Sequence, residues 1–180
     1  MTPEQKEARK LATFLETGQI LAGTFELKNA MSRVLEILGH HHGMTRGVVT
    51  LIDQDTNELH IVASHGLDQN GARRVKYRLG EGITGRVVET GKPVVVPQVS
   101  QEPMFLDRLG VRKGALKQHE LSFICVPILV NRKPVGALGV DLKYKPDRDY
   151  ERATTFLSII ASMIAQAIKV GHLIEADKQR

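Results

Sequence analysis

Apolar residues recur at helical spacing in the first part of the chain and predict two helices. Thr2 before Pro3 and Gln5 is typical of a helix start, because Thr2 can act as N-cap and Gln5 can close a capping box. The apolar face of this helix consists of Ala8, Leu11 and Leu15. A second apolar series, which ends at Gly39 and Gly43, consists of Leu27, Met31, Val34, Leu35 and Leu38.

Runs rich in β-branched residues follow and predict strands. They span residues 48–52, 59–63, 94–96, 122–130 and 134–141. Short polar turns join the first two runs and the last two, so each of these pairs is expected to form a hairpin. A glycine-rich segment at 80–85 predicts a short helix after it, and the apolar series 149–173 predicts a long one.

Strands joined by hairpins predict a mostly antiparallel sheet in an α+β fold. The runs 122–130 and 134–141 are apolar without strict alternation, which indicates that both faces of the central sheet are covered. The terminal helices are expected to cover one face, and residues 66–117 the other. A cavity between the sheet and residues 66–117 is therefore the expected ligand site.

Composition narrows the class of protein. The chain has 180 residues and a formal net charge of +5, which predicts one soluble domain able to bind anions without identifying one. A single cysteine, Cys125, argues against a disulfide framework and favours the cytoplasm. The first residues lack a secretory signal, and an apolar run long enough to span a membrane is missing, so we expect no membrane contact. Aromatic residues are scarce at 4%, which disfavours direct nucleic-acid contact by base stacking.

Two phosphate-binding motifs are matched only in part. Residues 80–85 have the spacing G-x-G-x-x-G, but the helix predicted after them is too short for a dinucleotide-binding βαβ unit. Gly91 and Lys92 do not complete a P-loop, because Pro93 stands where that motif needs Ser or Thr. We therefore expect no nucleotide cofactor.

Candidates for metal binding and catalysis are also weak. His40, His41 and His42 are adjacent on a predicted helix and point in different directions, so we expect no metal site. Cys125 lies within an apolar strand and is expected to pack as a small hydrophobic side chain. No catalytic constellation stands out, and the sequence predicts a protein that is not an enzyme.

Several segments together resemble a GAF domain, a small regulatory module that senses ligands. The segments that carry this resemblance are 79–96, 125–128 and 133–140. Segments 100–109, 120–124 and 156–161 are similar more narrowly to the amino-terminal GAF domains of NifA-type activators of nitrogen-fixation genes. The resemblance covers residues 14–170.

This resemblance implies a six-stranded antiparallel sheet between the terminal helices and a layer of loops and a helix. It implies a regulatory domain that controls a downstream AAA+ ATPase in a sigma-54-dependent activator. The effector would be a small molecule such as 2-oxoglutarate, a PII-type signal protein or the partner NifL. The sequence lacks the signatures of the GAF domains that bind cyclic nucleotides, attach bilins or reduce methionine sulfoxide. The alternative is a module for protein interaction and dimerisation without a small-molecule ligand.

A small anion such as 2-oxoglutarate needs charge-assisted hydrogen-bond donors when it leaves water. The candidate ligand-binding residues are Arg86, Arg108, Thr84 and Ser122. Arginine binds a carboxylate through two parallel hydrogen bonds, which favours Arg86 and Arg108 as the cations. In the competing interpretation, these arginines pair with neighbouring carboxylates or with solvent.

The long carboxy-terminal helix carries more apolar residues than a single sheet face needs. The candidate dimerisation residues are Phe156, Ile159, Met163 and Val170. We expect Leu11 and Leu15 to cover part of this surplus and a second chain to cover the rest; the alternative is a monomer in which the first two helices cover all of it. The predicted organisation is an N-terminal helix at 1–23, the GAF domain at 24–174 and the start of a linker at 175–180.

Overall fold

A computed structural model describes residues 1–23, 26–67, 75–103 and 120–178. The helices are α1 (Pro3–Ala22), α2 (Leu27–His42), α3 (Gly82–Thr90) and α4 (Tyr150–Lys178). The strands are β1 (Arg46–Ile52), β2 (Glu58–His65), β3 (Lys76–Arg78), β4 (Val94–Val96), β5 (Leu121–Val130) and β6 (Lys133–Lys143). A short 3-10 turn at Val99–Gln101 follows β4.

The six strands of the described residues form one sheet in the order β3-β2-β1-β6-β5-β4. All neighbouring pairs are antiparallel, and β5 and β6 form the longest ladder. Both predicted hairpins, β1–β2 and β5–β6, are present. The predicted α+β fold with a six-stranded antiparallel sheet is therefore confirmed.

Helices α1, α2 and α4 form a layer on one face of this sheet. Alternate residues of the central strands point into the layer, including Ile124, Val126 and Leu138, and they share a buried core with Leu35 and Ile160. The predicted coverage of one sheet face by the terminal helices is thus confirmed. The long helix α4 packs mainly along β5.

The ends of the first two helices have local causes. In α1, the amide of Gln5 donates to Thr2 Oγ1 at 3.1 Å, and the amide of Thr2 donates to Gln5 Oε1 at 2.8 Å, which confirms the predicted capping box. Helix α2 continues past Gly39 and ends at Gly43, whose φ of 68° is left-handed. Glycine adopts this conformation without steric cost, and it terminates the helix after His42.

The hydrophobic pattern did not predict strand β3, and it did not predict the last residues of α4. Strand β3 has only three residues, and its pattern of charged and aromatic side chains resembles a loop. It forms because its backbone pairs with Glu58, Leu59 and His60 at the edge of the sheet. Helix α4 continues to Lys178, beyond the predicted end at residue 173.

The apolar residues that the terminal helices carry beyond one core-facing stripe do not lie where the sequence predicted. Phe156, predicted on a free face, is buried and contacts Phe14 and His42, with ring centroids 5.2 Å and 4.7 Å apart. Leu11 and Leu15 cover little, because they are 65% and 64% exposed. Helix α1 instead directs Phe14, and the residues that lie on the same side of the helix, toward the core.

His42 connects all three helices of this layer. Its Nε2 lies 2.7 Å from Thr13 Oγ1 on α1, and its ring packs on Phe156 of α4. Burial, together with the smaller effect of the nearby positive charges of His41, Arg9 and Lys10, lowers the pKa of His42 from 6.5 to about 4. The folded protein therefore holds His42 neutral.

We predict that acidification destabilises the fold through His42. Between pH 6.5 and about 4, the unfolded chain binds a proton on His42 and the folded chain does not, so the free energy of unfolding falls as the pH falls through this window. Denaturant unfolding at pH 7 and pH 4.5 measures the loss. The loss of unfolding free energy between the two pH values is expected to be smaller in His42→Gln. In His41→Gln, at an exposed site, most of the wild-type loss is expected to remain. An equal loss in wild type and His42→Gln would contradict this role.

Candidate functional site

The second face of the sheet lies under α3 and contains the candidate site. Alternate residues of β5 and β6 point to it, including Phe123, Cys125 and Ala137, and they form a buried cluster with Ile83 and Val87 of α3. Cys125 is fully buried in this cluster, as the sequence predicted for a packing residue. Where α3 covers this face, the buried surface is apolar.

The turn at 80–85 positions the start of α3. Gly80 and Gly82 have left-handed φ values of 82° and 64°. The amide of Gly80 donates to the carbonyl of Gly85 at 2.9 Å, and the amide of Gly85 donates to that of Glu81 at 3.0 Å. A Cβ at Gly85 would lie 2.5 Å from the carbonyl oxygen of Arg78. The glycines therefore serve the close packing of this turn, and two of its amides donate within the turn.

The predicted ligand-binding residues are only partly brought together. Thr84 is half-buried and Arg86 is exposed, and both lie on α3. Arg108 lies outside the described residues. Ser122 lies on the opposite face of the sheet from Phe123, and its Oγ donates to the carbonyl of Pro97 at 2.7 Å. The structure therefore does not place Ser122 beside Thr84.

Ser122 instead connects the sheet to α4. Its Oγ lies 3.0 Å from Tyr150 Oη in the first turn of that helix. The same strand, β5, therefore touches the site through Phe123 and α4 through Ser122.

The predicted dimerisation residues do not all lie on one exposed surface either. Phe156 belongs to the core, and Met163 is half-buried near Gly18. Ile159 and Val170 are 40% and 51% exposed. They lie on one side of α4, because eleven residues return a helix to nearly the same direction.

A groove between α1 and α4 adjoins Ile159. It has a volume of about 960 Å³. Its apolar lining includes Leu11, Phe14, Phe156 and Ile159, and charged residues such as Glu7 and Arg152 surround them.

Polar residues that the sequence analysis missed lie on the site-facing side of the central strands. Asp141 of β6 is fully buried, and its Oδ2 lies 3.6 Å from Nη1 of Arg46 on β1. The two residues are direct partners in the β1–β6 ladder. Alternation along β6 from the apolar Ala137 would have placed Asp141 on this face, but the partner strand could not be read from the pattern.

Helix α4 is the one described helix long and apolar enough to cross a membrane by length and composition. Its buried residues Leu157, Ile160 and Ile164 pack in the core against the sheet. Among the described residues, no group of three or more His, Cys, Asp or Glu side chains could hold a metal ion.

Residues 26–169 match the GAF domain family. The match covers most of the chain, and the six-stranded sheet with helices on both faces agrees with it. The chain belongs to the GAF family. Among solved structures, the GAF domain of A. aeolicus nlh2 in an inactive state has a TM-score of 0.82 and 22% identity, and the match covers 91% of this chain and 98% of that one.

Relatives of this GAF domain include regulators of nitrogen fixation. It is 38% identical to the nitrogen fixation protein VnfA of Azotobacter vinelandii over 92% of this chain and 31% of that protein. It is 36% identical to the Nif-specific regulatory protein of Azospirillum lipoferum over 92% of this chain and 27% of that protein. The GAF chain thus spans 31% and 27% of the length of these two relatives. It is a GAF domain of the type found in Nif-specific regulatory proteins.

We predict that Gly85→Ala destabilises the GAF domain by about 2 kcal/mol, because the new Cβ would collide with backbone atoms that cannot move independently. The measurement is denaturant unfolding followed by circular dichroism. Gly171→Ala is the matched control, since a Cβ there meets nothing within 4 Å and helix propensity predicts a gain of about 0.5–1 kcal/mol. Equal stability of Gly85→Ala and wild type would contradict the packing role of this turn.

Proposed function

We propose that this GAF domain is the ligand-sensing regulatory domain of a cytoplasmic, sigma-54-dependent activator of nitrogen-fixation genes. The observation that carries the proposal is its similarity to Nif-specific regulatory proteins over more than nine-tenths of the chain. In this role the domain has no enzymatic activity of its own. It controls a downstream AAA+ ATPase, and residues 175–180, which include the last residues of α4, are proposed to begin the linker toward it.

The signal in this proposal is a small carboxylate such as 2-oxoglutarate, bound over the sheet beside α3. Arg86 and Arg108 supply the positive charge and Thr84 a hydroxyl. Ser122 is left out, because its Oγ already donates to Pro97 on the other side of the sheet. A PII-type protein or NifL acts on the same domain as a second input.

The two-sided contacts of β5 suggest how a bound ligand would act on the ATPase. Phe123 faces the site, whereas Ile124 faces the helical layer, and Ser122 contacts Tyr150 at the start of α4. A ligand that favours one position of β5 would therefore shift α4. It can do so only if it binds the two arrangements with different affinity.

An exchange of domains tests the regulatory role. The matching segment of VnfA is replaced by this chain, and transcription of a nitrogenase reporter is measured at low and high fixed-nitrogen supply. We expect transcription that responds to the nitrogen supply. An active hybrid whose transcription does not respond would contradict the proposal, and a truncated VnfA without the segment gives the unregulated level.

A variant of Tyr150 tests the proposed coupling between β5 and α4 more directly. Tyr150→Phe removes the hydroxyl that lies beside Ser122, at a cost of about 1 kcal/mol in stability. We expect the hybrid carrying this change to lose part of its response while keeping its activity. Tyr144→Phe is the control. An unchanged response in Tyr150→Phe would contradict the proposed route through β5 and α4.

Calorimetry on the isolated chain tests 2-oxoglutarate directly. We expect binding in wild type that weakens in Arg86→Gln and persists in Lys92→Gln, an exposed lysine just beyond α3. The absence of heat at millimolar 2-oxoglutarate would remove this molecule from the proposal and favour a protein signal.

The second candidate function is dimerisation through the terminal helices. The exposed Leu11 and Leu15 on α1 and the exposed Ile159 and Val170 on α4 favour it, because apolar side chains at helical spacing are typical of helix pairing. The two-fold pairing of α1 and α4 with a second copy would cover these residues.

We predict a mass near twice 20.0 kDa in light scattering. Ile159→Asp is expected to lower the mass toward the monomer, because a charge would be buried in an apolar contact. Gln54→Asp adds the same charge in the β1–β2 turn and should leave the mass unchanged. A wild-type mass of 20.0 kDa at all concentrations would reject the dimer.

A further inference from the structure

The inward face of α1 is partly polar. Thr13 and Thr17 point from this helix into the helical layer, where they are 3% and 0% exposed. Thr13 is hydrogen-bonded to His42, but Thr17 Oγ1 has no hydrogen-bond partner within the part of the chain that the structure describes. A buried hydroxyl without a partner loses its contacts with water and gains no hydrogen bond in return. The observed position of α1 therefore carries an uncompensated cost.

The outward face of the same helix is partly apolar, because Leu11 and Leu15 lie largely in solvent. Each leucine precedes one of the threonines, Thr13 or Thr17, by two residues. Two residues correspond to roughly 200° around a helix, so the leucines and the threonines lie on opposite sides of α1. At these four positions the helix directs hydroxyls to the core and leucines to water, which is the reverse of the usual amphipathic arrangement.

A turn of α1 about its own axis would reverse this arrangement. One residue corresponds to about 100° of a helix, so a turn by that angle points each residue where the preceding residue points now. Thr13 and Thr17 would take the directions of Ala12 and Glu16, which are exposed. Leu11 and Leu15 would move to half-buried positions. The four positions of α1 that are buried now would be occupied by apolar residues and glycine: Phe14, Gly18, Leu21 and Ala22.

Two contacts oppose the turn and hold α1 in its present position. The hydrogen bond between Thr13 and His42 would break, and Ile20 would take the exposed direction of Gln19. In exchange, the hydroxyl of Thr17 would return to water, and two leucines would be partly removed from it. The loss of one hydrogen bond and one buried side chain is similar in size to these gains. The two positions are therefore close in free energy.

The surroundings of α1 leave room for the turn. Residues 3–8 are exposed throughout, so the first part of the helix has no packing to break. The groove of about 960 Å³ lies between α1 and α4 beside Leu11. Farther along, a Cβ at Gly18 would stand 3.3 Å from the flexible end of the Met163 side chain. Helix α1 also precedes residues 26–169, so its packing is not part of the match to the GAF family.

We infer that α1 has two packing positions on the GAF domain, which differ by a turn of about one residue around the helix axis. In the position of the structure, Thr13 and Thr17 face inward; in the second position they face water, and Leu11 and Leu15 are partly covered. The inference goes beyond the proposed function, because it gives α4 an input that is separate from the sheet. Helix α1 packs on Phe156 of α4, so a signal that binds one position better would change this contact.

Thiol labelling of the full chain under native conditions tests the inference. The natural cysteine, Cys125, is fully buried and gives a low background. Thr17→Cys keeps the side-chain size nearly unchanged, and its thiol becomes accessible in the second position. We expect it to react about tenfold or more faster than the thiol of Ala161→Cys, at a buried position of α4, because a local change opens more often than the whole fold. Glu16→Cys gives the rate of an exposed thiol on α1.

A second change distinguishes the turn from fraying of the helix. Leu15→Gln, added to Thr17→Cys, removes an apolar side chain that is better covered in the second position, so the labelling rate is expected to fall about threefold or more. Glu16→Gln is the matched control, since this residue is exposed before the turn and points outward after it, and the rate should stay unchanged. If Thr17→Cys does not fold, Thr13→Cys takes its place, because Thr13 turns outward in the same way.

Three outcomes would overturn the inference. Labelling of Thr17→Cys that is as slow as that of Ala161→Cys indicates a single position of α1. Fast labelling that Leu15→Gln leaves unchanged indicates fraying. A rate that rises in Leu15→Gln, or that falls as the protein concentration increases, indicates that a second chain covers the leucines, which favours the dimer proposed above. The response of the VnfA hybrid to nitrogen is independent of all three, so the proposed function is tested separately.

Discussion

The β5–β6 ladder is buried on both faces, and this constraint organises the rest of the fold. Val126 and Leu138 need a cover on one face, while Phe123 and Cys125 need one on the other. Helices α1, α2 and α4 supply the first cover, and α3 supplies a smaller one. Because buried apolar area is the main source of stability, neither cover can be lost without exposing the centre of the sheet. The candidate site lies on the face that carries the smaller helical cover.

Placing the site and α4 on opposite faces of one strand has a functional consequence. Neighbouring residues of β5 alternate between the two faces, so a displacement of the backbone moves both sets of contacts. Ser122 adds a polar connection to Tyr150, and the apolar neighbours add packing. A close-packed interior transmits such a displacement, because its side chains have few voids to move into. The fold therefore offers a short physical path from the α3-facing side of β5 to the carboxy-terminal helix.

Residue identity alone does not decide the role of a residue type that serves different purposes. The glycines of residues 80–85 match a phosphate-binding spacing, yet their left-handed conformations and close contacts build the turn before α3. The hydroxyl of Ser122 is suited to a ligand, but it donates to the carbonyl of Pro97. Phe156 suits an interface, and it fills the core beside His42 instead. In each case the observed contact lies within the chain.

The sequence by itself determined the features with local causes: the capping box at Thr2, the two hairpins, the apolar runs of β5 and β6, and a GAF domain of the Nif-regulatory type. Only the tertiary structure decided which distant residues meet. Strand β3 exists through its pairing with β2, and Arg46 meets Asp141 because β1 lies beside β6 in that register. Register is a property of two strands, and a shift of one residue would turn Asp141 to the opposite face. The residue pattern of one strand therefore predicts which side chains share a face of the sheet, but it does not predict which strand pairs with it.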